Sequence, residues 1–223
     1  MNRSRSIVVA LVSIVLGGAV LALAGFALAS ATPHQKALEC VSSGANSCNL
    51  NFSVFPDSLA GEHGSDGGPH PDWVSYSNDD LVVPANTVVH VTIDQYDSGG
   101  SLNNAYLGTV IGTIGGVAKI DGKTVTKVDP NNVGHTFTLR GMPGNGTPIL
   151  VSVPLPADGN SGTPVTLGSG QYAKPVVVTF SFKTGSKGVY EWNCEFPCGG
   201  SREGQFGFAM STYGYMSGTL TVR

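Results

Sequence analysis

The stretch Val189–Cys194, with the sequence VYEWNC, decides the fold class of this 223-residue chain. Its residues alternate in character, so that Tyr190, Trp192 and Cys194 fall on one side of an extended segment. Alternation with a period of two is typical of a β-strand that buries one face. We therefore predict a strand here, with a cysteine at the end of its inner face.

The last segment of the chain shows the same alternation. Residues 216–222 read MSGTLTV, and Met216 begins the apolar face. If both strands turn their apolar faces inward, Cys194 and Met216 lie on the interior side at the same end of neighbouring strands. By the same count, His135 belongs with the inward residue Phe137. Three side chains that can bind a metal are thus predicted to converge beneath one set of loops.

Apolar alternation between Gly, Pro and Asn turns predicts further strands. The longest covers residues 81–93 and places His90 on the face away from the core. Residues 117–128 form a predicted hairpin, because Asp121-Gly122 readily adopts the positive φ angles of a two-residue turn. The other strands are predicted at residues 135–139, 149–153, 176–182, 189–194 and 216–222. Several short strands at this spacing indicate an all-β sandwich or barrel.

The composition supports an all-β class and excludes several functions. The chain has 31 glycines and only 12% charged residues, which is typical of strands joined by turns. Its formal net charge is -3 and no cluster of Lys or Arg follows the N-terminus, so we do not expect it to bind nucleic acid. The sequence motifs of serine hydrolases, zinc proteases and phosphate-binding loops are absent. We therefore do not expect the chain to be an enzyme by itself.

An uncharged apolar segment, residues 7–29, follows Arg3 and Arg5. About 20 apolar residues span a bilayer as a helix, so this length favours an uncleaved membrane anchor. Residues 27–29 resemble a cleavage site, which leaves a secreted form with a removed signal peptide as the alternative. In both cases the rest of the chain is expected outside the cytoplasm. The predicted domains are an anchor or signal peptide at 1–31, a linker and loop region at 32–79, and a β-domain at 80–223.

The four cysteines form two local pairs. In an oxidising compartment an even number of cysteines first suggests disulfides, although four cysteines allow three pairings. For Cys40 and Cys48 we predict a structural disulfide. For Cys194 and Cys198 two hypotheses stay open: a disulfide across a loop, or a pair of metal-binding or redox-active thiols.

Four segments resemble the cupredoxin family in order and spacing. They are VPANTVVHVTI at residues 83–93, GHTF at 134–137, YEWNC at 190–194 and GYMSGTLTV at 214–222. The resemblance covers residues 80–223 and implies a Greek-key β-sandwich of the blue copper or cytochrome-oxidase-subunit-II kind. It also implies that copper is bound by His135 as the early histidine, Cys194 as the thiolate and Met216 as the axial thioether.

The loop that follows Cys194 departs from the blue copper pattern. It contains no histidine, whereas a blue copper site uses two. Cys194 and Cys198 have the spacing of the two cysteines in the binuclear copper centre of oxidase subunit II, which adds Cys198 as a second thiolate. In that centre a His and a Met follow at short intervals, but the corresponding positions here are an arginine and a glutamine, and Met210 comes later. A loop histidine, His63 or His70, is the remaining source of a second nitrogen.

Together these features predict a membrane-anchored, extracytoplasmic copper protein. Thiolate and thioether sulfur favour copper, especially Cu(I), and imidazole accepts either oxidation state. We expect the chain to pass electrons or copper to a redox protein or a respiratory-chain component. Two alternatives stay open. One is a metal-free cupredoxin-fold module with a Cys194–Cys198 disulfide, and the other is an accessory or subunit-II-like part of a respiratory oxidase.

Overall fold

The computed structural model describes residues 36–56, 73–100, 102–141, 144, 146–158, 165–167, 170–199 and 207–223, which belong to the compact unit Gln35–Arg223. The predicted anchor or signal peptide at residues 1–31 lies outside the described residues, as do His63 and His70. In the described part of the chain, no helix has the length and apolarity needed to cross a membrane.

The described residues form fifteen strands and three short 3-10 helices. The strands are β1 Leu38–Glu39, β2 Val41–Gly44, β3 Ser47–Phe55, β4 Ser75–Tyr76, β5 Asp80–Val83, β6 Val88–Gln95, β7 Ala118–Ile120, β8 Lys123–Val125, β9 Val133–Gly141, β10 Leu150–Pro156, β11 Val165–Leu167, β12 Gly170–Tyr172, β13 Val176–Lys183, β14 Gly188–Asn193 and β15 Ser217–Val222. The helices are Ile114–Gly116, Pro130–Asn132 and Ala209–Ser211. The predicted all-β class is confirmed.

Most strands belong to two sheets that face each other. The first sheet has the strand order β1-β5-β15-β14-β9-β10, and the second has the order β2-β3-β6-β13-β7-β8, with β4 beside β3. Strands β11 and β12 form a separate ribbon. Aromatic rings fill the space between the sheets: the ring centroid of Phe137 on β9 lies 5.8 Å from that of Phe180 on β13 and 5.7 Å from that of Phe52 on β3. This packing makes the fold a β-sandwich.

The alternation predicted for β6 is present. Val89, Val91 and Ile93 are buried, with at most 1% of their surface exposed. His90 lies on the opposite face, where its Nδ1 is 2.8 Å from Ser181 Oγ on β13. The sequence prediction that His90 points away from the core is therefore confirmed.

The predicted hairpin and the five short strands also form. Strands β7 and β8 pair around Asp121 and Gly122, whose φ angles of 48° and 80° are those of a two-residue turn. Strands β9, β10, β13, β14 and β15 occupy the segments predicted for them. The inner face of β14 carries Tyr190 and Trp192, and both side chains are fully buried.

The single strand predicted at residues 81–93 is divided into two. Strand β5 ends at Val83 and pairs with β15 in the first sheet, whereas β6 begins at Val88 and pairs with β13 in the second. Pro84 has no amide hydrogen for a sheet ladder, and Asn86 has a positive φ of 54°. These two residues turn the chain from one sheet to the other.

The sandwich begins earlier in the chain than the sequence indicated. Strands β1 to β4 form within residues 32–79, which were expected to be linker and loop. Strand β3 buries alternate residues and runs parallel to β6 over eight residue pairs from Ser47 to Val54. Without β3, one edge of β6 would present unpaired backbone N–H and C=O groups. Pairing with β3 satisfies these groups.

Trp192 is the largest buried side chain at the centre of the sandwich. Its ring stacks on Phe137 with centroids 5.7 Å apart and meets the edge of Tyr76 at 4.8 Å. Its neighbour on β15 is Gly218, where an added Cβ would lie 1.9 Å from Asp79 O. The close approach of β15 to the chain before β5 therefore requires glycine at this position.

Cys40 and Cys48 form the predicted disulfide. Cys40 follows β1, which is the edge strand of the first sheet, and Cys48 lies on β3 of the second sheet. The bond therefore ties the edge of the first sheet to the second strand of the second sheet. A disulfide stabilises a fold largely by restricting the unfolded chain, and the effect depends on the length of the closed loop.

Replacing both cysteines of this bond tests its contribution. For a separation of 8 residues we expect the double substitution Cys40→Ser and Cys48→Ser to lower the free energy of unfolding by about 2–3 kcal/mol. Urea denaturation followed by tryptophan fluorescence measures the change. Ser42→Ala, on the exposed strand β2, is the matched control, with an expected change within about 0.5 kcal/mol. Equal stability of the double variant and the control would show that the bond does not stabilise the fold.

Candidate metal centre

Three predicted ligands meet at one end of the sandwich. His135 lies near the start of β9, Cys194 directly follows β14, and Cys198 lies in the next loop. Their ligand atoms all lie within 4.8 Å of one another, and Cys194 Sγ is 3.8 Å from His135 Nδ1. All three side chains are buried, with exposures of 1%, 0% and 7%. The meeting of His135 and Cys194 expected from strand parity is therefore present, Cys198 joins them, and neither cysteine is in a disulfide.

Asp97 fixes the orientation of the His135 ring. Its Oδ2 lies 2.6 Å from His135 Nε2, so the other ring nitrogen, Nδ1, is directed at Cys194. The Asp97 carboxylate also accepts a hydrogen bond of 2.9 Å from the N–H of Gly99, and its side chain is 17% exposed. A carboxylate that holds the outer nitrogen of a histidine is a common support for a metal ligand.

Charge is shared between His135 and Cys194 in the metal-free site. Burial alone would lower the pKa of His135, but the hydrogen bond to Asp97 and the contact with Cys194 raise this pKa from 6.5 to about 9. Burial alone would raise the pKa of Cys194, but contacts with Cys198 and His135 hold it well below its usual value. The Cys194 thiolate and burial raise the pKa of Cys198. These contacts therefore favour the charged forms of His135 and Cys194 and the protonated form of Cys198.

These two shifts act in opposite directions on folding. The stabilisation from His135 is complete below pH 6.5 and is lost as the pH rises through about 9. The stabilisation from the Cys194 thiolate is present above pH 9.0 and is lost as the pH falls through its lowered pKa. Between pH 6.5 and about 9 the two contributions therefore change in opposite directions with pH.

Thr136 connects β9 to the cysteine loop where the sheet ladder stops. The pairing of β9 with β14 ends at Thr138 and Asn193. Beyond that pair, the backbone N–H of Thr136 lies 3.4 Å from Cys194 Sγ, and Thr136 Oγ1 accepts a hydrogen bond of 2.7 Å from the N–H of Glu195. The backbone N–H of Thr136 thus points at the Cys194 sulfur instead of extending the sheet ladder. In this position it stabilises negative charge on the sulfur.

Tyr76 completes the hydrogen bonding of Thr136. Its hydroxyl donates to the Thr136 carbonyl oxygen at 3.0 Å in a fully buried position. Burial raises the pKa of Tyr76, and the nearby Cys194 and Cys198 raise it further, so the hydroxyl keeps its proton and acts as a donor. Tyr76 therefore holds the peptide group that contacts the sulfur.

The two methionines of the predicted ligand set lie on the loop that closes the site. Met216 is fully buried, and its carbonyl oxygen accepts a hydrogen bond of 2.8 Å from the N–H of Cys194. Met210 is half-buried in the helix Ala209–Ser211, close to Gly207. The backbone of Met216 is thus beside Cys194, as predicted, and thioether coordination by either residue stays a prediction.

A second histidine is missing from the described part of this site. Among all the residues that the structure describes, the only other histidine is His90, and it lies on the outer face of β6. Two sulfur atoms and one nitrogen atom remain, and this donor set fits copper, because thiolates bind Cu(I) strongly and imidazole binds either oxidation state.

Sequence reasoning did not select Asp97, Thr136 or Tyr76. Asp97 lies two residues after β6 and is 38 residues from His135 in the chain, so no local motif joins them. The general rule that a ligand histidine has an outer carboxylate partner would have prompted a search for an acidic residue at a strand end. Tyr76 lies in a segment that was expected to be a loop, and the sequence carries no signal for its role.

Several solved structures are similar to this chain. Auracyanin B is 17% identical, with a TM-score of 0.33, over a match that covers 82% of this chain and 94% of that protein. Rusticyanin from Thiobacillus ferrooxidans is 13% identical, with a TM-score of 0.33 and coverages of 82% and 86%. A multicopper oxidase from Campylobacter jejuni is 9% identical, with a TM-score of 0.39, and the match covers 86% of this chain but 29% of the oxidase. These structural neighbours are cupredoxins. No family model and no curated protein matches the sequence.

The substitution Asp97→Asn tests the orientation and charge of His135. In the metal-free protein we expect His135 to remain protonated up to about pH 9, because the carboxylate favours the charged ring. In the variant the pKa of His135 should fall, since an amide does not supply this charge. Nitrogen NMR shifts of the imidazole ring measured against pH report both values. An unchanged pKa in the variant would contradict the assigned role of Asp97.

The substitution Tyr76→Phe tests the support of Thr136. It removes the hydrogen bond to a buried carbonyl oxygen and leaves that oxygen without this donor. We expect the free energy of unfolding to fall by about 1–3 kcal/mol. Tyr106→Phe is the matched control, because Tyr106 is 49% exposed, and it should change stability by less than about 0.5 kcal/mol. Equal effects of the two substitutions in urea denaturation would exclude a supporting role for the Tyr76 hydroxyl.

Proposed function

We propose that this chain is a copper-binding electron carrier that works outside the cytoplasm on a membrane. The observation that carries the proposal is the buried group of His135, Cys194 and Cys198, whose ligand atoms lie within 4.8 Å of one another. Copper held there would supply a one-electron redox couple. The donor set supports this choice of metal, because two sulfur atoms and one imidazole favour copper over hard cations.

The residues around the site are arranged to hold their positions. Asp97 fixes the His135 ring, and the N–H of Thr136 fixes the Cys194 sulfur. The aromatic ring of Phe196 lies 6.3 Å from the His135 ring and helps to exclude water. Ligands held on packed strands rearrange little when the charge of a bound ion changes, which suits electron transfer.

Two separate features support the proposed location. The apolar segment at residues 7–29 is long enough to anchor the chain in a membrane. The disulfide between Cys40 and Cys48 is typical of an oxidising, extracytoplasmic compartment. In such a compartment two neighbouring thiols are exposed to oxidation, and a bound metal would protect Cys194 and Cys198.

The partner is proposed to be a membrane-bound redox protein or a component of a respiratory chain. Electron carriers of this size exchange electrons through brief contacts with larger proteins. The same site could instead deliver copper to a partner, which is the second role that two thiolate ligands suit. The two roles differ in the fate of the metal. An electron carrier keeps its copper when it reacts with the partner, whereas a copper donor transfers the ion to the partner.

Copper titrations of the wild-type chain, of two variants at the site and of one control variant test the proposal. We expect the purified chain to bind copper stoichiometrically under anaerobic conditions and to give a reversible one-electron wave by voltammetry. Cys194→Ser and His135→Ala should reduce the affinity at least 100-fold, because each removes a ligand atom from the group. His90→Ala is the control, since His90 lies on the outer face of β6, and its affinity should equal that of the wild-type protein. Absence of binding, or unchanged binding in Cys194→Ser, would overturn the proposal.

A further inference from the structure

The third donor of the site is the feature that sets its chemistry. A site with two imidazoles and one thiolate binds both oxidation states of copper and is used for Cu(II)/Cu(I) exchange. Here the described residues replace the second imidazole by the sulfur of Cys198, which is 7% exposed. The exchange of a nitrogen for a sulfur atom makes the donor set softer.

The spacing of the donors suits one ion shared by all three. Bonds of about 2.0–2.3 Å to nitrogen and sulfur place the ligand atoms of a single-ion site about 3.5–4 Å apart. The distance from Cys194 Sγ to His135 Nδ1 is 3.8 Å, and every distance within the group is at most 4.8 Å. A small inward movement of the Cys198 loop is therefore enough to close the group on an ion.

The oxygen groups near these sulfurs are a neutral carbonyl and a carboxylate that already has a partner. The Phe196 carbonyl oxygen lies 3.2 Å from Cys194 Sγ. The Asp97 carboxylate is held by His135 Nε2. Cys194 is fully buried, which excludes water from its side of the site. Cu(II) prefers tetragonal sites with nitrogen and oxygen donors, whereas Cu(I) accepts few, soft donors.

We propose that Cys194, Cys198 and His135 form a soft site selective for monovalent d10 cations, Cu(I) and Ag(I), over Cu(II), with Cys198 as the residue that determines this selectivity. The inference rests on the proposed copper binding and adds the oxidation state that the site prefers. A tenfold preference for Cu(I) raises the reduction potential by about 59 mV. A preference for Cu(I) would therefore make the oxidised form of the site a stronger electron acceptor.

Ag(I) is the direct probe, because it has the charge and softness of Cu(I) but does not undergo redox chemistry under these conditions. The full chain is prepared with the Cys40–Cys48 bond intact and two free thiols per molecule, confirmed by thiol titration. We expect it to bind one Ag(I) per chain with ultraviolet sulfur-to-metal absorption. Competition titrations should show Cu(I) bound at least 1000-fold more tightly than Cu(II).

Substitutions at position 198 separate selectivity from copper binding as such. Cys198→Ser should weaken Ag(I) and Cu(I) binding at least 100-fold while Cu(II) binding changes less. Cys198→His supplies the second imidazole, and it should raise the affinity for Cu(II) and produce strong visible thiolate-to-copper absorption. His90→Ala again serves as the control. Far-ultraviolet circular dichroism and Trp192 fluorescence confirm that each variant is folded.

Each result decides a different point. Equal affinity of the wild-type chain for Cu(I) and Cu(II), or unchanged Ag(I) binding in Cys198→Ser, would overturn the selectivity while leaving the proposed copper function intact. Tighter binding of Zn(II) than of Ag(I) would also overturn it. No binding of any of these metals by the folded wild-type chain would overturn both this inference and the proposed function.

Discussion

The antiparallel pairing of β9 with β14 stops at Thr138 and Asn193, and the metal centre depends on this stop. If the ladder continued, the N–H of Thr136 would pair with backbone and the next residues of the loop would lie flat in the sheet. Because the ladder ends, that N–H is directed at the Cys194 sulfur and the chain leaves the sheet to place Cys198 above it. The sheet thus supplies both the position of the ligands and a hydrogen bond to one of them.

Packing beneath the site keeps this strand end in place. Trp192 lies two residues before Cys194 and is held between Phe137 and Tyr76, so the strand cannot slide without opening the core. The hydroxyl of Tyr76 links the same core to Thr136. The result is a continuous path of buried contacts from the centre of the sandwich to the ligand sulfur. A site built in this way resists rearrangement, which is the property that electron transfer requires.

The residue at position 198 sets the chemical character of the proposed site. With a nitrogen donor in place of Cys198, the same backbone would hold a site of mixed hard and soft character. With sulfur there, the group becomes rich in soft donors and is closed to water on the side of Cys194. The Asp97 carboxylate, which is partly exposed, is then the connection between the buried ligand and the solvent.

The sequence by itself determined the all-β class, the burial of alternate residues in β6 and β14, and the meeting of His135 with Cys194, because strand periodicity is a local property that each segment carries on its own. The sequence did not predict strands β1 to β4. Strand β3 forms by pairing with the open edge of β6, and that strand lies far away in the chain. Only the tertiary structure decided that Asp97 holds His135, that Tyr76 holds Thr136, and that Cys194 and Cys198 lie unbridged beside His135. These relations depend on distances between segments that the fold brings together, and no local pattern encodes such distances.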